Sequence, residues 1–83
     1  MKLTIIAPGN TLFKGECKLV QMPGVDGLFE ILDNHAPIIA LLGEGKIKVQ
    51  EQDGKELFFD VENGVLKVNN NQAMILVEPL LTL

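Results

Sequence analysis

Gly45-Lys46-Ile47-Lys48-Val49-Gln50-Glu51-Gln52-Asp53-Gly54-Lys55-Glu56-Leu57-Phe58-Phe59 is the stretch that decides the fold class. From Gly45 to Gln50 polar and apolar residues alternate, and a strand places successive side chains on opposite faces. Ile47 and Val49 are therefore predicted to face inward, and Lys46, Lys48 and Gln50 to face water. Asp53-Gly54 follows at once and leads into Leu57-Phe58-Phe59, the hairpin signal whose positive φ values suit type I′ or related turns. The stretch predicts two antiparallel strands joined by a tight turn.

Working outward, short apolar or alternating runs recur, each closed by turn residues. None keeps the i, i+3, i+4 spacing of an amphipathic helix over three turns. The predicted strands are Lys2–Ile6, Thr11–Phe13, Cys17–Met22, Leu28–Leu32, Ile38–Leu42, Lys46–Glu51, Glu56–Val61, Val65–Val68 and Ala73–Glu78. So many strands in 83 residues are too many for one flat sheet, which points to an all-β fold of two packed sheets, a β-sandwich. Asn63-Gly64 repeats the turn signal and predicts a meander, or a bulge if the register falls one residue away. Pro23-Gly24-Val25-Asp26-Gly27 concentrates turn formers and predicts a protruding loop. Ile38–Leu42 and Met74-Ile75-Leu76-Val77 are apolar at every position, so each is expected to pack on the opposite sheet with one face and on a loop or partner with the other.

Length and composition narrow the function. The 83 residues make a single domain, 1–83, near the size at which a chain buries roughly 60% of its extended surface. The chain is 47% hydrophobic with no Trp or Tyr and four Phe, so Val, Ile and Leu must build the core, a composition that favours sheet. One cysteine, Cys17, cannot form an internal disulfide and fits a reducing environment. A net charge of −4, with the lysines scattered along the sequence, argues against nucleic-acid binding, which needs clustered cations. The apolar run Ala36 to Leu42 is far shorter than the ~20 residues of a membrane-spanning helix. Pro8-Gly9-Asn10 interrupts the N-terminus too soon for a signal peptide.

The chemical inventory is poor. The chain contains no serine, and the one histidine, His35, would have to serve Cys17 or a threonine, Thr4, Thr11 or Thr82. No oxyanion-hole loop accompanies such a pair, and Cys17 falls in a predicted strand. Asp26, Glu30, Asp33 and His35 lie close together without the paired spacing of a zinc or calcium motif. The glycines punctuate turns and form no phosphate cradle ahead of a helix. No metal, cofactor or catalytic residue is expected. His35 leads into Ala36-Pro37, and a residue before proline is held extended. His35 therefore reads as a structural or docking residue.

Leu12-Phe13-Lys14-Gly15-Glu16, Pro23-Gly24-Val25-Asp26-Gly27-Leu28-Phe29-Glu30-Ile31-Leu32 and Asn34-His35-Ala36-Pro37-Ile38-Ile39-Ala40-Leu41-Leu42 closely resemble, in order and spacing, the epsilon subunit of F-type ATP synthases. The similarity continues collinearly through Gly45–Val49, Phe58-Phe59, Gly64–Val68 and Met74–Val77. The resemblance implies a β-sandwich of about ten short strands at the foot of the rotating central stalk, gripping the gamma subunit and meeting the polar loops of the c-ring. It implies a non-catalytic subunit without a cofactor, held peripherally at the cytoplasmic face of the bacterial cell membrane, that couples ring rotation to gamma during ATP synthesis and ion transport.

By position in the motif, His35, Ala36, Pro37, Ile38, Ala40 and Leu42, with Ala7, are the implied gamma-facing residues. Gly24, Val25, Asp26, Gly27 and Leu28 are the implied c-ring-facing loop. A permanent rotor contact is expected to exceed roughly 1,600 Å² and to centre on apolar groups, for which Ile38, Ala40, Leu42 and Leu80-Leu81 are candidates. Bacterial members of the family commonly continue into a C-terminal helical hairpin with inhibitory and ATP-sensing roles. The sequence here stops at Leu83; if that is the natural end, the resemblance implies a rotor subunit without the hairpin and without ATP binding, and if it is a boundary within a longer protein, neither follows. Two other small β folds compete. A lipoyl or biotinyl carrier domain would use Lys55 at the Asp53-Gly54-Lys55 hairpin, but the flanking residues do not match carrier signatures. An oligonucleotide-binding barrel would need aromatic stacking faces and basic grooves, and the chain is acidic with 5% aromatics.

Overall fold

The computed structural model describes residues 1–80. Within them the chain forms strands only: β1 (Lys2–Ala7), β2 (Asn10–Gly24), β3 (Gly27–Leu32), β4 (Ile38–Leu42), β5 (Gly45–Glu51), β6 (Glu56–Asn69) and β7 (Gln72–Pro79). These belong to one seven-stranded hydrogen-bonded network that folds over on itself through its two long members. The first half of β2 pairs with β1, and the second half pairs with β3 and β5. In the same way Glu56–Val61 of β6 pairs with β5, whereas Gly64–Val68 lies between β4 and β7. The first layer therefore runs β2, β1, β7, β6, β4, and the second runs β3, β2, β5, β6. The β1–β7 pairing is parallel and the rest are antiparallel.

The β-sandwich expected from the sequence is present, and the nine predicted segments merge into seven strands. Thr11–Phe13 and Cys17–Met22 are both part of β2, and Glu56–Val61 and Val65–Val68 are both part of β6. Asn63-Gly64 is not a hairpin turn but sits at the corner of β6, where the register with β7 shifts between Val61 and Asn63. An extra residue on one strand bends it and increases its twist, which lets one strand serve two layers.

Gly64 has a further reason to lack a side chain. A Cβ there would lie 2.7 Å from the Leu76 carbonyl oxygen and 3.1 Å from Val77 Cγ1, so β6 and β7 would have to separate. Replacing glycine by alanine gains about 0.4–1 kcal/mol through the unfolded chain, less than the roughly 1–3 kcal/mol that overpacking costs. Gly64→Ala is expected to lower the urea midpoint by a net loss of about 1–2 kcal/mol. An unchanged or higher midpoint would mean that the β6 corner is looser than described.

The hairpin turns carry the expected chemistry with two revisions. Gln52-Asp53-Gly54 joins β5 to β6, with Gly54 at φ 92°, the Gly54 N–H donating to Glu51 O at 2.9 Å and the Glu51 N–H donating to Lys55 O at 2.8 Å. This is the three-residue hairpin ending in a left-handed glycine. The Pro23–Gly27 segment is tighter than the loop expected: Gly24 pairs with Gly27, leaving only Val25-Asp26 as the turn. The left-handed pair between β6 and β7 is Asn70-Asn71, at φ 52° and 57°, values that asparagine tolerates better than other side-chain-bearing residues.

The two layers meet over a single apolar core. Leu3, Ile5, Leu66, Val68, Ala73 and Ile75 from the first layer pack with Val20, Met22, Ile31, Ile47 and Val49 from the second. Ile47 and Val49 are fully buried as their alternation predicted, Lys46 is exposed, and Lys48 and Gln50 are half-buried. Phe13 and Phe59 bridge the layers edge to face at 6.5 Å, a geometry that adds about 0.5–1.5 kcal/mol to their burial. Met1 is buried too, with its ammonium donating to Cys17 O at 3.0 Å and ion-paired with the Asp33 carboxylate.

Candidate docking surface

The structure gives each of the two fully apolar segments an orientation. In β4, Leu42 is buried, and Ile38 and Ala40 are half-buried against the core, whereas Ile39 and Leu41 are 71% and 59% exposed. In β7, Ala73, Ile75 and Val77 point inward, and Met74 and Leu76 point out. The register aligns the outward residues into rows across the first layer. Leu41 sits opposite Val65, Val65 opposite Leu76, Leu76 opposite Ile6, and Ile6 opposite Thr11. The next row contains Ile39, Lys67, Met74, Thr4 and Lys14, and the row beyond it contains Asn69, Gln72, Lys2 and Glu16.

This arrangement places a continuous apolar band, Leu41-Val65-Leu76-Ile6, across four strands of one outer face. Isolated exposed apolar residues are ordinary, but a contiguous set is a candidate docking surface. The outer face of the second layer differs. There Gln21 bonds Glu30 at 3.2 Å, Lys46 pairs with Asp60 at 2.8 Å and Lys48 lies 3.8 Å from Glu56, and Phe58 is exposed among them. Leu28 and Leu32 are exposed on that face too, at 67% and 53%, but Glu30 stands between them, so its apolar groups are separated by polar ones where those of the first face are continuous.

The residues implied as gamma-facing by the motif separate into three groups. Ala7 and Leu42, at 4% and 2% exposure, are core residues and offer a partner no surface, which corrects that expectation. Ile38 and Ala40 face inward with them. The strand is apolar at every position, so its pattern carries no phase, and the register puts Ile39 and Leu41 outside instead. His35, Ala36 and Pro37 form the entry to β4, with Ala36 and Pro37 exposed and His35 half-buried. The His35 Nδ1 lies 2.7 Å from the Ala36 carbonyl oxygen, a contact that is a hydrogen bond in the Nδ1–H tautomer because a carbonyl only accepts. Asn34, at φ 64°, donates its N–H to Asn71 Oδ1 at 2.7 Å, which ties this turn to the β6–β7 turn.

The implied c-ring-facing residues do come together. Gly24, Val25, Asp26, Gly27 and Leu28 form the tip of the β2–β3 hairpin, with Val25 and Leu28 at 60% and 67% exposure. A Cβ at Gly24 would lie 2.8 Å from the Gly27 carbonyl oxygen, so the closeness of the turn depends on that glycine. The Val25 N–H donates to Leu41 O at 3.1 Å, and the Gly43 N–H donates to Pro23 O at 2.7 Å. Main-chain bonds thus fasten the tip to the end of β4. Leu80 is 41% exposed, its N–H donating to Asp60 O at 3.1 Å; Leu81 and Thr82 lie outside the described residues.

The remaining chemical candidates have structural duties. Cys17 is fully buried and burial pushes its thiol pKa up, so it remains a protonated core side chain. Glu30 is engaged by Gln21 and Asp33 by the Met1 ammonium. Among the described residues no three His, Cys, Asp or Glu side chains gather as a metal site, and no helix is long and apolar enough to cross a membrane. Lys55 is exposed at the β5–β6 hairpin with its N–H donating to Asp53 Oδ1 at 2.9 Å, an ordinary surface turn.

Comparison with known proteins gives one answer. The family model for the ATP synthase, Delta/Epsilon chain, beta-sandwich domain matches residues 1–81. The ATP synthase epsilon chain of Chlorobium limicola is 42% identical over 77 residues, spanning 93% of this chain and 88% of that protein. That of Chlorobaculum tepidum is 38% identical over 76 residues, spanning 92% of this chain and 86% of that protein. Among solved structures, a chain in the Euglena gracilis mitochondrial ATP synthase (OSCP/F1/c-ring, rotational state 1) has the same fold, with a TM-score of 0.85 at 21% identity over 90% of this chain and 48% of that one. With a family model matched along nearly its whole length and relatives similar over most of theirs, the chain belongs to the ATP synthase delta/epsilon family and forms its β-sandwich domain.

Proposed function

We propose that the chain is a non-catalytic rotor subunit of an F-type ATP synthase, held on gamma by the outer face of its first layer and turned toward the c-ring by its β2–β3 hairpin. The observation that carries this reading is the apolar band Leu41-Val65-Leu76-Ile6, left uncovered by the described residues of a chain whose relatives are ATP synthase epsilon chains. His35, Ala36 and Pro37 lead into β4 at the other end of the same face, two rows from the band, with Ile39 and Leu41 following them along the strand. The proposed position is peripheral at the cytoplasmic face of a bacterial cell membrane, reached through the complex.

A rotor subunit must transmit force without deforming. The hairpin tip is fastened to β4 by the Val25–Leu41 and Gly43–Pro23 backbone bonds, and β4 is the strand that carries Ile39 and Leu41. Load entering at Val25 or Leu28 therefore reaches the docking face through main-chain hydrogen bonds, not through a flexible loop. Co-expression with the gamma subunit from the same genome is expected to give a complex that co-elutes on size exclusion. Separate elution at micromolar concentration would contradict the proposal.

A further inference from the structure

The docking face is not uniformly apolar. Along the strands from the Leu41-Val65-Leu76-Ile6 row, the next two rows bring in Lys67, Lys14 and Lys2. All three are exposed and line a shallow depression of about 650 Å³ with Glu16, Asn69, Asn70 and Gln72. Lysines scattered in the sequence have thus been gathered on one end of one face of a chain whose net charge is −4. Lys46 and Lys48, on the other outer face, have carboxylate partners in the chain. Among the described residues Lys2, Lys14 and Lys67 have none within salt-bridge distance. Glu16 sits opposite Lys2 in register, and Glu78 lies at the far end of the face, beyond the apolar row, beside the β6 corner.

We infer that the first-layer face selects a gamma surface whose apolar centre is bordered on one side by carboxylates that meet Lys2, Lys14 and Lys67. This inference rests on the proposed docking of gamma by that face. A protein surface that covers the apolar band also removes water from the neighbouring ammonium groups, and a desolvated charge is tolerated only when paired. The side amides of Asn69, Asn70 and Gln72 can donate to the same carboxylates. Because the lysines lie to one side of the band, they also give the docked partner a direction, and rim charges of this kind act mainly on association rate and register. An anionic membrane is the less favoured ligand. The chain's net charge of −4 repels such a surface.

The test measures the association rate of the chain with a gamma-containing catalytic complex purified without this subunit, using wild type, Lys14→Glu/Lys67→Glu and, as control, Lys46→Gln. The wild-type rate is expected to fall on the order of tenfold between about 20 mM and about 300 mM salt. The Lys14→Glu/Lys67→Glu variant is expected to associate on the order of tenfold more slowly at low salt with an unchanged melting temperature, and Lys46→Gln at the wild-type rate. A salt-independent rate, or equal slowing by the control, overturns the inference while leaving the docking itself in place. Absence of any wild-type complex overturns both. Binding of the isolated chain to phosphatidylserine vesicles, lost in the double variant while the gamma rate is unchanged, would assign the lysines to lipid and also overturn it.

Discussion

Leu76→Asp is expected to weaken association with gamma on the order of 100-fold or more, because it places an unpaired carboxylate at the centre of the covered apolar band. Leu76 is 50% exposed in the isolated chain and lies between Val65 and Ile6 in register. Its side chain contributes little to the core, so the substitution should cost the isolated chain within about 1 kcal/mol, the range of strand preference. The informative comparison is Phe58→Asp on the other outer face. Phe58 is 56% exposed and equally apolar, but it stands beside Lys48 in register, so its replacement should leave gamma binding unchanged. If both variants bind like wild type, the first-layer face is not the one that docks. If Phe58→Asp alone fails, the faces have been assigned the wrong way round.

Leu66→Ala is expected to have the largest effect on folding. Leu66 is fully buried in β6, paired with Ala40 of β4 on one side and Ile75 of β7 on the other. Removing a buried leucine side chain costs about 2–5 kcal/mol, the lost transfer energy plus the cavity left behind. A domain of this size is stable by only about 4–12 kcal/mol, and each kcal/mol lost lowers its melting temperature by roughly 4–8 °C. The expected result is therefore a fall of at least about 8 °C in calorimetry. A smaller fall would mean that the layers close over the gap by sliding, and that the first layer is less rigid than a force-transmitting element should be.

How much of this was legible in the sequence depended on whether a segment carries phase. Gly45–Phe59 was readable in detail because Ile47 and Val49 alternate with Lys46, Lys48 and Gln50, so one burial pattern alone satisfies them. Ile38–Leu42 was readable as a strand but not as to which side faces out, since all its positions are apolar and a one-residue slip exchanges Ile39 and Leu41 for Ile38, Ala40 and Leu42. The motif names Leu42 as a contact residue, and for that reason its sequence does not show that the side chain is buried in the isolated chain; Ala7, at the end of β1, is buried as well. Asn63-Gly64 and Asn70-Asn71 look alike as local signals, yet one bends a continuous strand and the other reverses the chain. What separates them is the pairing of Val65 with both Leu41 and Leu76, which is a tertiary fact. The lysine cluster was invisible as well, because Lys2, Lys14 and Lys67 meet only when β1 is set between β2 and β7.

The most direct test of the docking face uses the buried position of Cys17 as a silent background. With Cys17 fully buried and its thiol protonated, a maleimide should label single-cysteine additions at exposed sites alone. Met74→Cys reports the first-layer face and Phe58→Cys the second, and the labelling rate of each is measured free and in complex with gamma. The account predicts that gamma protects Met74→Cys strongly and leaves Phe58→Cys labelling at its free rate. Protection of Phe58→Cys with Met74→Cys still reactive would contradict it.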